Sequence, residues 1–173
     1  MRRKNELIRT LIDVVKANCG REDCLYLPDW SDADWQCLLD GAEVMMLGDG
    51  DLLLQRDDPS NDLYFLVEGK LAVSVPQSDG MTMTAPVTRS PGSIVGEIAF
   101  LDRGARTASV WSRGQSVLLR LPATAVLDIE ATEPRLACDL LYAIGRIVAE
   151  RLRRCIGAPT KGRPDSIRRH LDP

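Results

Sequence analysis

Between Glu43 and Leu121 the chain never holds an apolar run long enough for a core helix, and this most restricts its fold. Short apolar or alternating runs follow one another: Val44 to Leu47, Leu52 to Leu54, Leu63 to Val67, Leu71 to Val75, Met81 to Thr88, Thr107 to Trp111, and Val117 to Leu121. Between them stand Gly48-Asp49-Gly50, Asp57-Asp58-Pro59, Glu68-Gly69, Ser78-Asp79-Gly80, Pro91-Gly92 and Arg113-Gly114, residues that favour tight turns. Seven or eight strands of this length and spacing predict a mainly β domain, an antiparallel jelly-roll barrel.

Helical periodicity flanks the strands. Leu7, Ile8, Leu11, Ile12, Val14 and Val15 form one apolar face within residues 4–18, and Gly20 ends the pattern. Ser31 is placed to cap a short helix over residues 32–39, anchored by Trp30 and Trp35. After Pro122 the helical period returns over 123–130. It returns again from Pro134, suited to a first helical turn, through Leu136, Leu140, Leu141, Ile144, Ile147, Val148 and Leu152. The expected organisation is an N-terminal helical segment (1–42), a β barrel (43–121), C-terminal helices (122–156) and a poorly ordered Gly/Pro-containing tail (157–173).

A chain of 173 residues with 45% hydrophobic residues suffices for one domain with a real core. The net charge is -3, and the basic residues gather at the end, where they outnumber acidic ones 9 to 5 from residue 131 onward. An acidic body argues against general nucleic-acid binding, and the 17 tail residues are too few for a helix-turn-helix, so no DNA-binding module is expected. No apolar window suits a membrane span, and the amphipathic start is unlike a signal peptide, which predicts a cytoplasmic protein. Five cysteines (Cys19, Cys24, Cys37, Cys138, Cys155) without a CxxC pair predict reduced thiols. A metal oxygenase built on a β barrel would need several histidines, and His170 is the only one, so neither a metal nor an enzymatic role is expected.

One interruption of the strands is unlike a hairpin. Over residues 92–110 a strand breaks at Gly96, makes a single helical turn, loops at Gly104 and re-enters a strand after Arg106. The start of a helical turn offers free N–H groups, a preceding glycine lets a ligand come close, and an arginine fork suits two oxygens of one phosphate. Glu97 beside such a site makes sense as an acceptor from a sugar hydroxyl.

Gly96-Glu97-Ile98-Ala99-Phe100-Leu101 and Arg106-Thr107-Ala108-Ser109-Val110 resemble the phosphate-binding cassette of the cyclic nucleotide-binding domain family. Upstream, Asp62-Leu63-Tyr64-Phe65-Leu66-Val67-Glu68-Gly69 fits the same family, and the resemblance covers roughly residues 30 to 155. It implies that Arg106 holds the cyclic phosphate, Glu97 the ribose 2′-hydroxyl, and amides around Gly96, Ile98, Ala99 and Ala108 the remaining oxygens, with Thr107 contributing a hydroxyl. It further implies base contacts from Val73, Val87, Arg89 and Val95, and from Arg151 and Arg154 on a last helix acting as a lid. Three positions depart from the family: Asp57 where many members carry glycine, with Asn61 near enough to supply a left-handed residue; Arg89 where an apolar contact is common; and Trp111 in place of a polar strand residue, expected to be exposed.

The implied function is a stand-alone sensor of a cyclic nucleotide, cAMP ahead of cGMP, that signals through its C-terminal helix to an effector protein or across a homodimer. Ala137, Leu140, Ile144, Ile147 and Leu152 are the expected dimer residues. The rival is an interaction scaffold that keeps the fold with a degenerate pocket.

Overall fold

A computed structural model of the protein describes residues 2–18, 24–27, 29–74 and 86–157. Two four-stranded antiparallel sheets face each other, with helices at both ends. The first sheet has the order β1 (Glu43–Leu47), β8 (Ser116–Leu121), β3 (Leu63–Glu68), β6 (Ile94–Val95), and the second β2 (Leu52–Leu54), β7 (Ser109–Ser112), β4 (Leu71–Ser74), β5 (Val87–Arg89). The predicted jelly-roll architecture is therefore what the chain adopts. Of the expected run from Met81 to Thr88, residues 81–85 lie outside the described residues, as do the turn at 78–80, Gly20, Cys19, His170 and all but the first residue of the tail.

Strand β3 explains why its sequence reads as continuous rather than alternating. Leu63, Phe65 and Val67 point into the core beneath the helices, whereas Tyr64 and Leu66 point into the barrel with Leu54, Leu71, Val95, Val110 and Leu118. A strand covered on both faces needs apolar residues at every position.

The helical layer follows from the flanking periodicity. Helix α1 (Arg2–Ala17) buries Leu7, Ile8, Leu11, Ile12 and Val15 against β3 and α2 (Asp32–Leu39). Ser31 caps α2 in a reciprocal box: its hydroxyl accepts from the Asp34 amide while the Asp34 carboxylate accepts from the Ser31 amide. Trp30 and Trp35 meet edge to face at 5.3 Å, and the Trp30 indole donates to Asp139 at 3.0 Å, tying this corner to the last helix.

Helix α4 (Ala123–Thr132) leads into α5 (Pro134–Cys155), about 33 Å long by its rise per residue. Here one expectation is corrected: Ala137, Leu140, Ile144 and Ile147 are buried in the chain's own core, leaving only Leu152 of the proposed dimer residues exposed. Two further corrections concern the departures from the family. Asp57 itself takes the left-handed conformation (φ 68°), with no help from Asn61. Trp111 is half-buried, lying across from Leu52 and Ala72 in its sheet.

Candidate functional site

The short helix α3 (Glu97–Asp102) interrupts the passage from β6 to β7, and Gly96 makes that interruption possible. Gly96 has φ 86°, and a Cβ there would stand 2.5 Å from Arg106 Nη1 and 2.9 Å from the Asp62 carbonyl oxygen. Only glycine fits both the backbone angle and the space.

Arg106 fills the room that Gly96 leaves. It is 2% exposed, and its guanidinium donates to three oxygens: Nε to Ser60 Oγ at 3.1 Å, Nη1 to Gly96 O at 2.9 Å, and Nη2 to Asp62 O at 2.8 Å. Its backbone is paired as well, the amide donating to Asp58 O and the carbonyl accepting from the Asp57 amide, each at 2.8 Å. Arg106 thus stitches the 57–62 turn to the cassette, and its carbon lies 5.8 Å from the centre of the Tyr64 ring. Burial lowers the Arg106 pKa, while Tyr64, Asp62, Asp58 and Glu97 pull it upward. The Tyr64 hydroxyl is pushed up, first by burial and then by Asp62.

Asp62 organises the far side. One carboxylate oxygen accepts from the Ala123 amide at 3.1 Å, at the start of α4, and the other from Arg120 Nε at 2.8 Å, with Arg120 Nη2 at 2.7 Å. Arg120 also pairs with Glu43 at 2.9 Å, and the Asp62 hydrogen bond raises its pKa first of all.

Glu97 is almost as buried as Arg106, and its ion pair is with Arg151. Its Oε1 lies 2.6 Å from Arg151 Nη1, and Arg151 Nη2 donates to Ile94 O at 2.9 Å. The final turns of α5 are therefore fastened to the cassette.

These groups surround a cavity of about 180 Å³. Its lining brings together Val73, Arg89, Val95, Gly96, Glu97, Ile98, Ala99, Arg106, Thr107, Ala108 and Arg151, all singled out in the sequence. Two others are absent: Val87 is exposed on the edge strand β5, and Arg154 is exposed at the end of α5. Arg151 does line the cavity, although the contacts above are with Glu97 and Ile94 rather than with a base site. Leu54, Val110 and Cys155 complete the lining and were not foreseen. The alternation of β7 pointed to Val110, whereas β2 is leucine at all three positions and gives no such signal, and only the course of α5 brings Cys155 there. Ser60 and Asp62 were missed as partners of Arg106 because their contribution runs through a hydroxyl and a backbone carbonyl of a turn.

The cavity thus lies between a buried guanidinium, a six-residue helix and a carboxylate at the mouth of a β barrel, with the last turns of α5 fastened beside it. The family model described as cyclic nucleotide-binding domain matches residues 45–133, slightly more than half of the chain, and the chain belongs to that family. Among solved structures it is similar to a cyclic nucleotide-binding domain from Methylobacillus flagellatus (18% identity, TM-score 0.75, covering 88% of this chain and 82% of that one). It is also similar to the regulatory domain of Toxoplasma gondii PKA, solved with cAMP (15% identity, TM-score 0.66, covering 86% and 51%). The curated relatives include lysophospholipase nte1 of Neurospora crassa, 26% identical over 126 residues. That match takes in 72% of this chain but only 8% of the relative's length. No described helix is long and apolar enough to cross a membrane.

Proposed function

We propose that this protein is a non-enzymatic cyclic purine nucleotide sensor whose C-terminal helix carries the signal. The observation that carries this reading is the hydrogen-bond count at Arg106. A guanidinium has five N–H donors, and three are committed to Ser60, Gly96 and Asp62, leaving two for the oxygens of a cyclic phosphate at the cavity wall. The first-turn amides of α3, at Glu97, Ile98 and Ala99, with Thr107 and Ala108 opposite, supply the other donors, and Glu97 accepts from the sugar. Val73, Val95 and Arg89 form the wall left for the base. The scaffold reading is less well supported, because its degenerate pocket would have no use for a buried charge held with donors to spare.

In this reading the signal passes along α5 to an effector or to a second copy of the chain. A face separate from the buried stripe favours the second copy: Cys138, Tyr142, Gly145, Ala149, Leu152 and Ile156 are all exposed, with Tyr142 80% exposed. Their spacing of four and three residues is the repeat of a two-helix seam, and Gly145 and Ala149 let the backbones approach.

Thermal denaturation with cAMP, cGMP and linear AMP tests the ligand. A cyclic nucleotide at 100 times its dissociation constant adds about 2.7 kcal/mol of stability. For a chain of this size that raises the melting temperature by about 5–11 °C. We expect such a rise with cAMP or cGMP and less with AMP; no rise with either at millimolar concentration refutes the reading.

A further inference from the structure

We propose that the groove between α2 and α4 is a docking site for the basic segment 158–173 of the same chain, with Arg168 and Arg169 seated against Asp40 and Asp128. The groove has a volume of about 510 Å³. One wall is the end of α2 and its exit, through Cys37, Asp40 and Gly41, and the other is α4, through Ala125, Asp128 and Ile129. A Cβ on Gly41 would lie 2.9 Å from Ala125 Cβ, so small residues close one end, and the groove continues along α4 to Thr132. Among the described residues its lining holds two carboxylates and no cation. Asp40 and Asp128 are both exposed, and Lys4 donates to the Asp40 carbonyl oxygen at 2.5 Å rather than to its carboxylate.

Charge and length point to the occupant. A groove with two carboxylates and no cation suits a basic partner, and residues 158–173 carry Lys161, Arg163, Arg168 and Arg169 against Asp165 and Asp172. Ile167 and Leu171 flank the arginine pair and offer apolar surface to Ala125 and Ile129 beside the charges. The segment is also long enough. Helix α5 starts two residues beyond Thr132 and runs about 33 Å to its far end, where Gly157 takes φ 66°, a left-handed turn that leads the chain off the helix axis. The eleven residues from 158 to 168 span about 36–40 Å when extended, and the residues before Pro159 and Pro164 favour extended backbone. Arg168 and Arg169 therefore reach back to the Thr132 end of the groove, where the seated segment bridges α2 and α4. The inference stands apart from the cyclic nucleotide reading, since none of the groove residues lines the ligand cavity.

Cys37 reports on the groove, because its thiol is exposed there unless a segment covers it. Alkylation of the full chain with iodoacetamide at low salt, read site by site by peptide mass spectrometry, tests the proposal. It compares the parent, a tail variant (Arg168→Glu with Arg169→Glu), a groove variant (Asp40→Arg with Asp128→Arg) and the two combined, with the exposed Cys138 on α5 as internal control. In the parent, Cys37 should react about threefold or more slowly than in the tail variant, the protection expected of two exposed ion pairs acting together, while Cys138 is unchanged. The groove variant should lose the protection and the combined variant regain it, because reversing both partners restores their attraction. Salt at about 0.5 M should bring the parent toward the rate of the tail variant. Equal Cys37 rates in the parent and the tail variant overturn the proposal, and so does a combined variant that stays unprotected. Protection that disappears on dilution also overturns it, since the segment then comes from a second copy. Should the groove variant not fold, the tail variant and the salt dependence decide alone, and a Cys37 rate that neither of them raises is equally fatal.

Discussion

Replacing Gly96 with alanine tests the geometry on which the site depends. The new Cβ would lie 2.5 Å from Arg106 Nη1 and 2.9 Å from the Asp62 carbonyl oxygen, at a backbone φ of 86°. The left-handed conformation costs an ordinary residue about 1–2 kcal/mol. The overlap adds about 1–3 kcal/mol, because Nη1 belongs to a side chain pinned by three hydrogen bonds and the second contact is with backbone. Together these give a loss of roughly 2–5 kcal/mol, or a fall of about 4–20 °C in melting temperature for a chain of this length. Urea denaturation of the unliganded protein measures the loss directly. A Gly96→Ala variant within about 0.5 kcal/mol of the parent, the range of a neutral surface change, would show that Arg106 and the 57–62 turn are free to move aside and that the cassette is not a preformed cradle.

Two other outcomes are expected. Tyr142→Arg, which places a charge in the middle of the exposed seam of α5, should turn a dimer into a monomer in sedimentation without lowering the melting temperature of the fold by more than about 2 °C; a parent that is already monomeric at high concentration rules the seam out. Stability should also fall on the acid side: hydrogen bonds from Ser31 lower the pKa of Asp34, and hydrogen bonds from Ser60 lower that of Asp58. A carboxylate depressed in the folded state contributes above its unfolded pKa of about 3.9 and loses that contribution as pH drops through the folded value. Melting temperatures at pH 6 and pH 3 should therefore differ, with Asp34→Asn reducing the difference; an equal drop in that variant removes Asp34 from the account.

The cassette was legible in the sequence because its determinants are contiguous. Gly96, a single helical turn and the returning Arg106 express their geometry within a few residues, and the structure gathers them around one cavity. The short strand runs and the helix cap at Ser31 were readable for the same reason, while the return bond from the Asp34 carboxylate was seen only in the structure. Strand β6 holds only two residues and is defined by its pairing with Tyr64 and Phe65, so no periodicity of its own could announce it.

Helix α5 shows most clearly where local reading stops. It has two apolar stripes, one through Ala137, Leu140, Ile144 and Ile147 and another through Tyr142, Leu152 and Ile156, and periodicity cannot say which one meets the core. The packing of α5 against the rest of the molecule chose the first, exposed the second and carried Arg151 to Glu97, 54 residues away in the chain. What the amino-acid order determined by itself was the set of turns, strands and helical faces, each governed by near neighbours. What only the tertiary structure decided was which charges meet: hydrogen bonds and ion pairs act over a few ångströms, and those distances exist only once distant segments have packed.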